Sequence, residues 1–293
     1  MSAPRADIGV IGGSGLYEMA ELTDVQEVRI DTPFGDPSDA ITLGKLGERR
    51  VAFLPRHGRG HRLNPTVVPY RANVFALKSL GVRCIVGVSA VGSLKDKIRP
   101  LDMVVPDQII DRTKGRPSTF FDDGIVVHVG FAEPFCGELS GLLLEEVEKE
   151  GLTAHRGETY ICMEGPQFST KAESELYRSW GAGVIGMTVI PEAKLAREAE
   201  VCYATLAAAT DYDCWHPDHE SVTAEMIIGN VVRNTEHSRN IVRRLVGRLA
   251  ADWSCSCHSA LESAIITAPD RIPARIKKDL APLIGKYVGE GRD

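Results

Sequence analysis

Residues 8–18 read IGVIGGSGLYE, an apolar run that breaks into a cluster of small residues. Ile8, Val10 and Ile11 suit a buried strand, and Gly12-Gly13-Ser14-Gly15 suits a turn at its end. Backbone N–H groups exposed there, with the Ser14 hydroxyl, make a nest for an anion. A tight turn with no ligand is the competing reading. The turn is not a dinucleotide fingerprint, because Glu18 stands where the last glycine belongs, and it lacks the lysine of a nucleoside-triphosphate loop.

The same strand-then-turn pattern recurs. Short Val- and Ile-rich runs at 51–54, 84–88, 103–105, 125–129, 160–163, 184–187 and 201–209 are expected to be strands. Helical period links several of them. Leu139, Leu142, Leu143 and Val147 share one face, and Gly151 follows where a left-handed cap belongs. A longer helix is expected over 223–249, with the stripe Ala224, Ile227, Ile228, Val231, Ile241, Val242 and Leu245. Arg243, Arg244 and Arg248 fall late in it, where they suit the helix dipole. Strands alternating with helices indicate an α/β fold with a largely parallel central sheet, whose ligands gather where strands end.

The chain has 293 residues and no Gly/Ser or Pro-rich linker, so residues 1–293 read as one domain, with a tail after about 253 to which no role attaches. A net charge of −6 disfavours nucleic acid or an anionic membrane as the main partner. No apolar run approaches the roughly 18 residues of a membrane span, so the expected location is cytoplasmic. Among the seven cysteines, Cys84, Cys162 and Cys202 sit in apolar runs and read as buried thiols. Cys255 and Cys257, in WSCSCHS, are too close for a relaxed intrachain loop and incomplete as a zinc site; they read as a chance pair or a redox-sensitive one.

Four loops carry polar clusters at strand ends. PRHGRGHRLNP, residues 55–65, follows the 51–54 strand and places Arg56, His57, Arg59, His61 and Arg62 together. Such a loop suits a phosphate dianion, with Arg as a fork and His as a further donor, or is merely solvated. Ser89 follows the next strand, and Thr188 follows 184–187. With Ser14 these hydroxyls stand at three strand ends, and one inorganic phosphate gripped by several loops accounts for all of them. In the fourth loop, ATDYDCW, Asp211 and Asp213 lie two apart, so an extended backbone would aim both at one face. Paired carboxylates resist double ionisation, which keeps a proton available near neutrality. A protonated Asp can donate to a purine N7 while a carboxylate accepts from an exocyclic amine. A metal site and a structural turn are the alternatives.

LPRHGRGHRLNPTVVPYRANVFALKSLGV, PLDMVVPDQIIDRTKGRPSTFF, EGPQFSTKAESELYRSWGAGVIGMTVIPEAKLAREAEVCYA and ATDYDCW, in order, resemble the trimeric purine nucleoside phosphorylase family, and within it the members that act on 5′-methylthioadenosine. The resemblance runs from about residue 7 to 250. It implies a mixed central sheet and pentosyl transfer without metal or organic cofactor. The implied reaction is phosphorolysis of methylthioadenosine to adenine and 5-methylthioribose 1-phosphate, as in purine and methionine salvage. Inorganic phosphate is then a co-substrate. Carried onto this chain, the family's phosphate site corresponds to Ser14, Arg56, His57, Ser89, Ala90 and Thr188. Phe168 matches the aromatic residue against the base, Met187 the residue beside the ribose, and Asp211 and Asp213 the pair that reads adenine. His61, Ala224 and Ile227 match the apolar 5′ pocket. His128 resembles a residue lent by a neighbouring subunit, which implies a homotrimer. Ser14 replaces the family's more usual Thr, and Ala224 a larger aliphatic. A 6-oxopurine phosphorylase would favour an amide where Asp211 stands, and a hydrolytic nucleosidase has no use for the anion cradle.

Overall fold

The computed structural model describes residues 5–17, 19–216, 224–250 and 252–289, with the side chains of Ser14, Tyr17 and 224–228 left out of the description. The apolar runs become the inner strands: β1 (Ile8–Gly12), β4 (Arg49–Pro55), β5 (Cys84–Ser93), β6 (Met103–Val105), β9 (Thr159–Met163), β10 (Val184–Gly186) and β11 (Cys202–Asp211). Four strands escape a hydrophobic reading: β2 (Thr23–Val28), β3 (Ile41–Leu46), β7 (Gln108–Arg112) and β8 (Ala154–Arg156). β2 is exposed along almost its whole length, so no buried face shows in its TDVQEV sequence. Conversely, the expected strand at 125–129 is absent from the ladder. Only Val127 forms an isolated bridge, to Ile265, and the segment otherwise packs as an irregular strap.

The sheet runs β2-β3-β4-β1-β5-β10-β9-β7, with β11 joined to β5 and β6, and β8 to β6. Six of the ten described strand pairings are parallel. β5 is the hub. On one side it pairs with β11 from Cys84 to Gly92. On the other it pairs with β1 only as far as Gly87, and with β10 only from Gly92 onward. Residues 88–91 therefore face a gap in the sheet on that side.

The helices are α1 (Tyr70–Ser79), α2 (Gly137–Lys149), α3 (Lys171–Ser179), α4 (Val189–Glu198), α5 (Ala224–Arg248), α6 (Ala274–Asp279) and α7 (Ala281–Val288). Gly151 adopts the left-handed conformation (φ +77°) two residues beyond α2, as its spacing implies. α1 and α4 cover one face of the sheet through Val74, Leu77, Ala193 and Leu195. α2 and α5 cover the other through Leu139, Leu143, Ile241 and Leu245. The late arginines of α5 do more than suit a dipole. Arg244 binds Glu146 and Glu150, and Arg248 binds Glu145 and Glu146, all presented by the end of α2.

One buried acid on α4 sits outside the polar end of the sheet. Glu198 accepts from the Phe120 N–H at 2.8 Å, and burial pushes its carboxyl up to about 7. Its neutral form belongs to the folded state, so its contribution is fully present below the ordinary value of 4.5 and is lost as pH rises through 7. Glu198→Gln keeps the acceptor without the charge. Thermal melts should show it equal to the parent below pH 4.5 and more stable above 7, by on the order of 2 kcal/mol. Equal melting at all pH values would refute the assignment.

Candidate active site

β1 ends at the glycine turn, and its Gly12 carbonyl accepts the Arg56 backbone N–H at 2.9 Å. The Arg56 side chain is buried and threads the sheet gap. Nη1 donates to the Val88 carbonyl (2.8 Å), and Nη2 donates to the Ile11 carbonyl (3.2 Å) and to Glu192 Oε2 (3.0 Å). Nε donates to Glu192 Oε1, completing a fork-to-fork pair with a fully buried carboxylate. Tyr203 Oη donates to the same carboxylate at 2.9 Å. The Glu192 pair holds the guanidinium charged, above its ordinary range, against the opposing effect of burial. Four of the five N–H groups of Arg56 are thus engaged, leaving one on Nη1 for a ligand among the described residues. Glu192 was not read from the sequence. Its signal is an acid inside the apolar run VIPEAKLA, on the buried face of α4.

The other cradle groups converge on the same gap. Ser89 and Ala90 lie within it, on the unpaired side of β5. Thr188 Oγ1 is buried with no hydrogen-bond partner among the described residues, and Ser89 Oγ, also buried, has only the Tyr160 hydroxyl beside it. Thr188 is the N-cap residue of α4, yet its hydroxyl makes no capping bond. A buried hydroxyl without a partner costs about 1–3 kcal/mol, which an incoming polar ligand would recover. Ser14 begins the short 3-10 turn Ser14–Tyr17 after β1, and its side chain lies outside the described residues. α5 pins that turn, because Arg239 Nε donates to the Gly15 carbonyl at 2.6 Å.

His57 plays a different part from the expected donor. Its Nδ1 lies 2.8 Å from the Leu63 carbonyl, which can only accept, so the proton sits on Nδ1. Burial and the Arg56 charge push the ring down to about 4, so at neutral pH Nε2 offers a lone pair. His61 stacks on this ring at 4.3 Å, with the backbone left-handed (φ +53°). The rest of the basic loop turns away: Arg59 pairs with Glu27, and Arg62 with the Ser38 carbonyl and Asp39.

Asp211 and Asp213 do meet, by another route than strand alternation. The β11 register shifts between Ala209 and Asp211, and Asp213 takes a left-handed backbone (φ +50°) in the turn that follows. The two carboxylates fold over Gly92, where any side chain would strike Asp211 Oδ1 at 3.0 Å and Asp213 Cβ at 3.3 Å. Asp211 accepts the Asp213 N–H on Oδ1 (2.8 Å) and faces Thr210 Oγ1 through Oδ2 (2.6 Å). Burial raises its carboxyl above the ordinary value, with the Asp213 charge adding to the effect. Thr210 Oγ1 also lies 3.2 Å from the Val91 carbonyl. The single Thr210 hydroxyl proton can serve either the Asp211 carboxyl or the Val91 carbonyl, so the Asp211 proton is not committed to Thr210. Asp213 accepts from Ser169 Oγ at 3.3 Å. Asn230 and Asn234 of α5 bind the Thr210 and Ala209 carbonyls and fix the strand end.

Around this pair, Phe168 is 52% exposed, a large ring held without cover in the loop before α3. That loop is fixed by a capping box between Thr170 and Glu173. Met187 directly precedes Thr188, and its carbonyl accepts from Arg116 Nη1 at 2.6 Å. Arg116, buried and also unread from the sequence, ties Met187, Ile190 and Glu164 into one unit. The side chains of Ala224 and Ile227 lie outside the described residues. His128 is exposed on the strap, its N–H bonded to the Ala264 carbonyl, and no described contact joins it to the cradle.

Residues 7–247 match the family model described as the Phosphorylase superfamily. An S-methyl-5′-thioadenosine phosphorylase of Koribacter versatilis is 58% identical over 286 residues, covering 98% of each chain. The crystal structure of a methylthioadenosine phosphorylase from an antarctic soil metagenomic library is 51% identical and superposes with a TM-score of 0.92, covering 95% of this chain and 99% of that one. The Schistosoma mansoni methylthioadenosine phosphorylase in complex with adenine is 34% identical, with a TM-score of 0.83 over 88% of this chain and 97% of that one. The strand-end cradle, the carboxylate pair and these likenesses agree, and the chain belongs to the S-methyl-5′-thioadenosine phosphorylase family of the phosphorylase superfamily.

Proposed function

We propose that the chain catalyses phosphorolysis of 5′-methylthioadenosine, with the sheet gap holding phosphate and the Asp211/Asp213 pair holding the base. The observation that carries this reading is the gap itself: a buried guanidinium with one donor to spare among the described residues, beside the buried hydroxyls of Ser89 and Thr188, the latter with no partner among those residues, at the strand ends that also carry paired carboxylates. Phosphate would take the Arg56 Nη1 donor, the hydroxyls of Ser14, Ser89 and Thr188, and the backbone of Ala90. His57 Nε2 would accept the proton of hydrogen phosphate, which positions the dianion with a nucleophilic oxygen toward the sugar.

Cleavage builds positive charge on the ribose and negative charge on the base, and the site is suited to oppose both. A phosphate oxygen bonds to the anomeric carbon as the carbon–N9 bond breaks, its electron pair passing to the adenine ring. Asp211 gives a proton to N7. The proton lost by hydrogen phosphate on becoming an ester replaces it, so the balance is neutral adenine and 5-methylthioribose 1-phosphate. Asp213 accepts from the 6-amino group. Phe168 lies against the base, Met187 beside the ribose, and His61, Ala224 and Ile227 along the 5′ substituent. The reaction asks for no metal or organic cofactor at this site. Adenine release from methylthioadenosine should saturate with phosphate and fall to background without it; equal release without phosphate would mean hydrolysis and defeat the reading.

The family resemblance of His128, with its exposure on the strap, supports a homotrimer in which that residue completes a neighbour's site. Among the described residues no helix is long and apolar enough to cross a membrane, and a cytoplasmic salvage role fits the substrates. Sedimentation should give three chains; a fully active monomer would contradict this.

A further inference from the structure

Four of the seven cysteines meet where the tail returns to the sheet, away from the phosphate gap. Cys136 precedes α2, Cys202 opens β11, and Cys255 and Cys257 lie in the tail; their sulfur atoms all fall within 4.8 Å of one another. Cys136 stands 119 residues before Cys255, with the two sulfurs 3.6 Å apart. A disulfide requires about 2.05 Å. A tetrahedral zinc–thiolate site, with zinc–sulfur bonds of about 2.3 Å, has sulfur–sulfur edges of about 3.8 Å. The observed separations, 3.6 Å for one pair and none above 4.8 Å, bracket that edge.

Three N–H groups are directed at these sulfurs. Cys136 is the N-cap of α2, where the helix dipole favours negative charge, and its sulfur accepts the Leu139 N–H at 3.5 Å. Cys202 Sγ accepts from Trp253 Nε1 at 3.5 Å. His258 Nδ1 must accept from Arg83 Nη2 (3.0 Å), so its Nε2 carries the proton and directs it toward Cys202 Sγ (3.5 Å) and the Arg83 carbonyl (3.2 Å). N–H donors to ligand sulfurs are what the surroundings of a thiolate metal centre supply. Cys136, Cys202 and Cys257 are buried, while Cys255 is partly open and gives an ion its way in.

We propose that Cys136, Cys202, Cys255 and Cys257 bind one Zn2+ as a tetrathiolate site that clamps the C-terminal segment onto β11 and α2. This revises the reading of Cys255 and Cys257 as an incomplete zinc site, which weighed only their neighbours in sequence. The completing pair comes from two distant elements. Each thiol that ligates releases its proton to solvent, so zinc uptake at neutral pH acidifies the medium. The ion is structural: four protein ligands leave no open position for substrate.

The test is metal analysis of the full chain, purified with reductant and without chelator, then incubated with zinc and desalted. The expected result is about one zinc per chain, near zero in Cys257→Ser, and undiminished in Cys214→Ser, whose sulfur lies outside the cluster. Should Cys257→Ser not fold, a mercurial titration of the parent serves instead: zinc should leave in step with the cluster thiols. Cobalt in place of zinc should give the visible bands of a tetrahedral thiolate complex. Zinc below about 0.1 per chain after this treatment, retention of zinc by Cys257→Ser, or isolation of the four cysteines as disulfides would overturn the proposal.

Discussion

Glu192→Gln should destabilise the fold by about 3–5 kcal/mol, because it leaves the Arg56 charge buried without its partner. The parent pair is two-pronged, and Tyr203 also donates to the Glu192 carboxylate. An amide keeps the volume but turns an NH2 toward donors, so one of these hydrogen bonds becomes a donor–donor contact. In a chain of this size the loss corresponds to a fall in melting temperature on the order of 10 °C, readable by calorimetry. A change below about 1 kcal/mol would mean that the pair is not buried as described. Arg56→Met with Glu192→Leu separates structure from binding. Replacing a buried ion pair with apolar side chains of similar volume removes the unpaired charge, but here it also leaves the Val88 and Ile11 carbonyls and the Tyr203 hydroxyl without their partner, so the double variant should recover only part of the lost stability. It should nonetheless lose phosphate-dependent turnover, since the remaining Nη1 donor goes with the guanidinium.

The second large effect concerns the base. Asp213 presents acceptors, which suit the 6-amino group of adenine and oppose the 6-oxygen of hypoxanthine. An acceptor facing an acceptor in a desolvated site costs about 1–3 kcal/mol. Methylthioadenosine should therefore exceed inosine by roughly tenfold to a hundredfold in kcat/KM. Asp213→Asn supplies an NH2 that can face the 6-oxygen, and should shrink that ratio toward unity. Asp211→Asn together with Asp213→Ala should also shrink it, with a larger loss of turnover because the acid is gone. Burial raises the Asp211 carboxyl, and the protonated form is the active one, so kcat should fall as rising pH removes that proton. Steady-state kinetics on both nucleosides decides the matter, and a parent that cleaves inosine as well as methylthioadenosine would contradict the base assignment.

What the sequence made legible follows from which forces act locally. Buried strands such as β1, β5, β6 and β11 announce themselves because both faces are covered, and their ends could be matched to polar loops. β2 and β8 are short, exposed edge or outlying segments whose pairing depends on a neighbour. The segment at 125–129 has the composition of a strand, yet it meets only the short stretch 264–266 of the tail and forms a single isolated bridge there. Residue spacing associates Asp211 with Asp213 through strand alternation, whereas a bulge and a left-handed turn bring them together, and neither is visible in that spacing. The basic loop looked like a single patch; only its contacts show that Arg56 turns inward while Arg59 and Arg62 serve the surface. Glu192, Arg116 and the distant halves of the cysteine cluster are tertiary facts, each made by residues that a local window never sees together.

The central claim is that phosphate, and not water, takes the sugar. Methylthioadenosine cleaved with 18O-labelled phosphate in ordinary water, followed by mass spectrometry of the sugar product, tests it directly. The expected product is 5-methylthioribose 1-phosphate carrying the phosphate label, in amounts equal to the adenine released. Free methylthioribose with an oxygen from water, formed at the same rate whether or not phosphate is present, would contradict it.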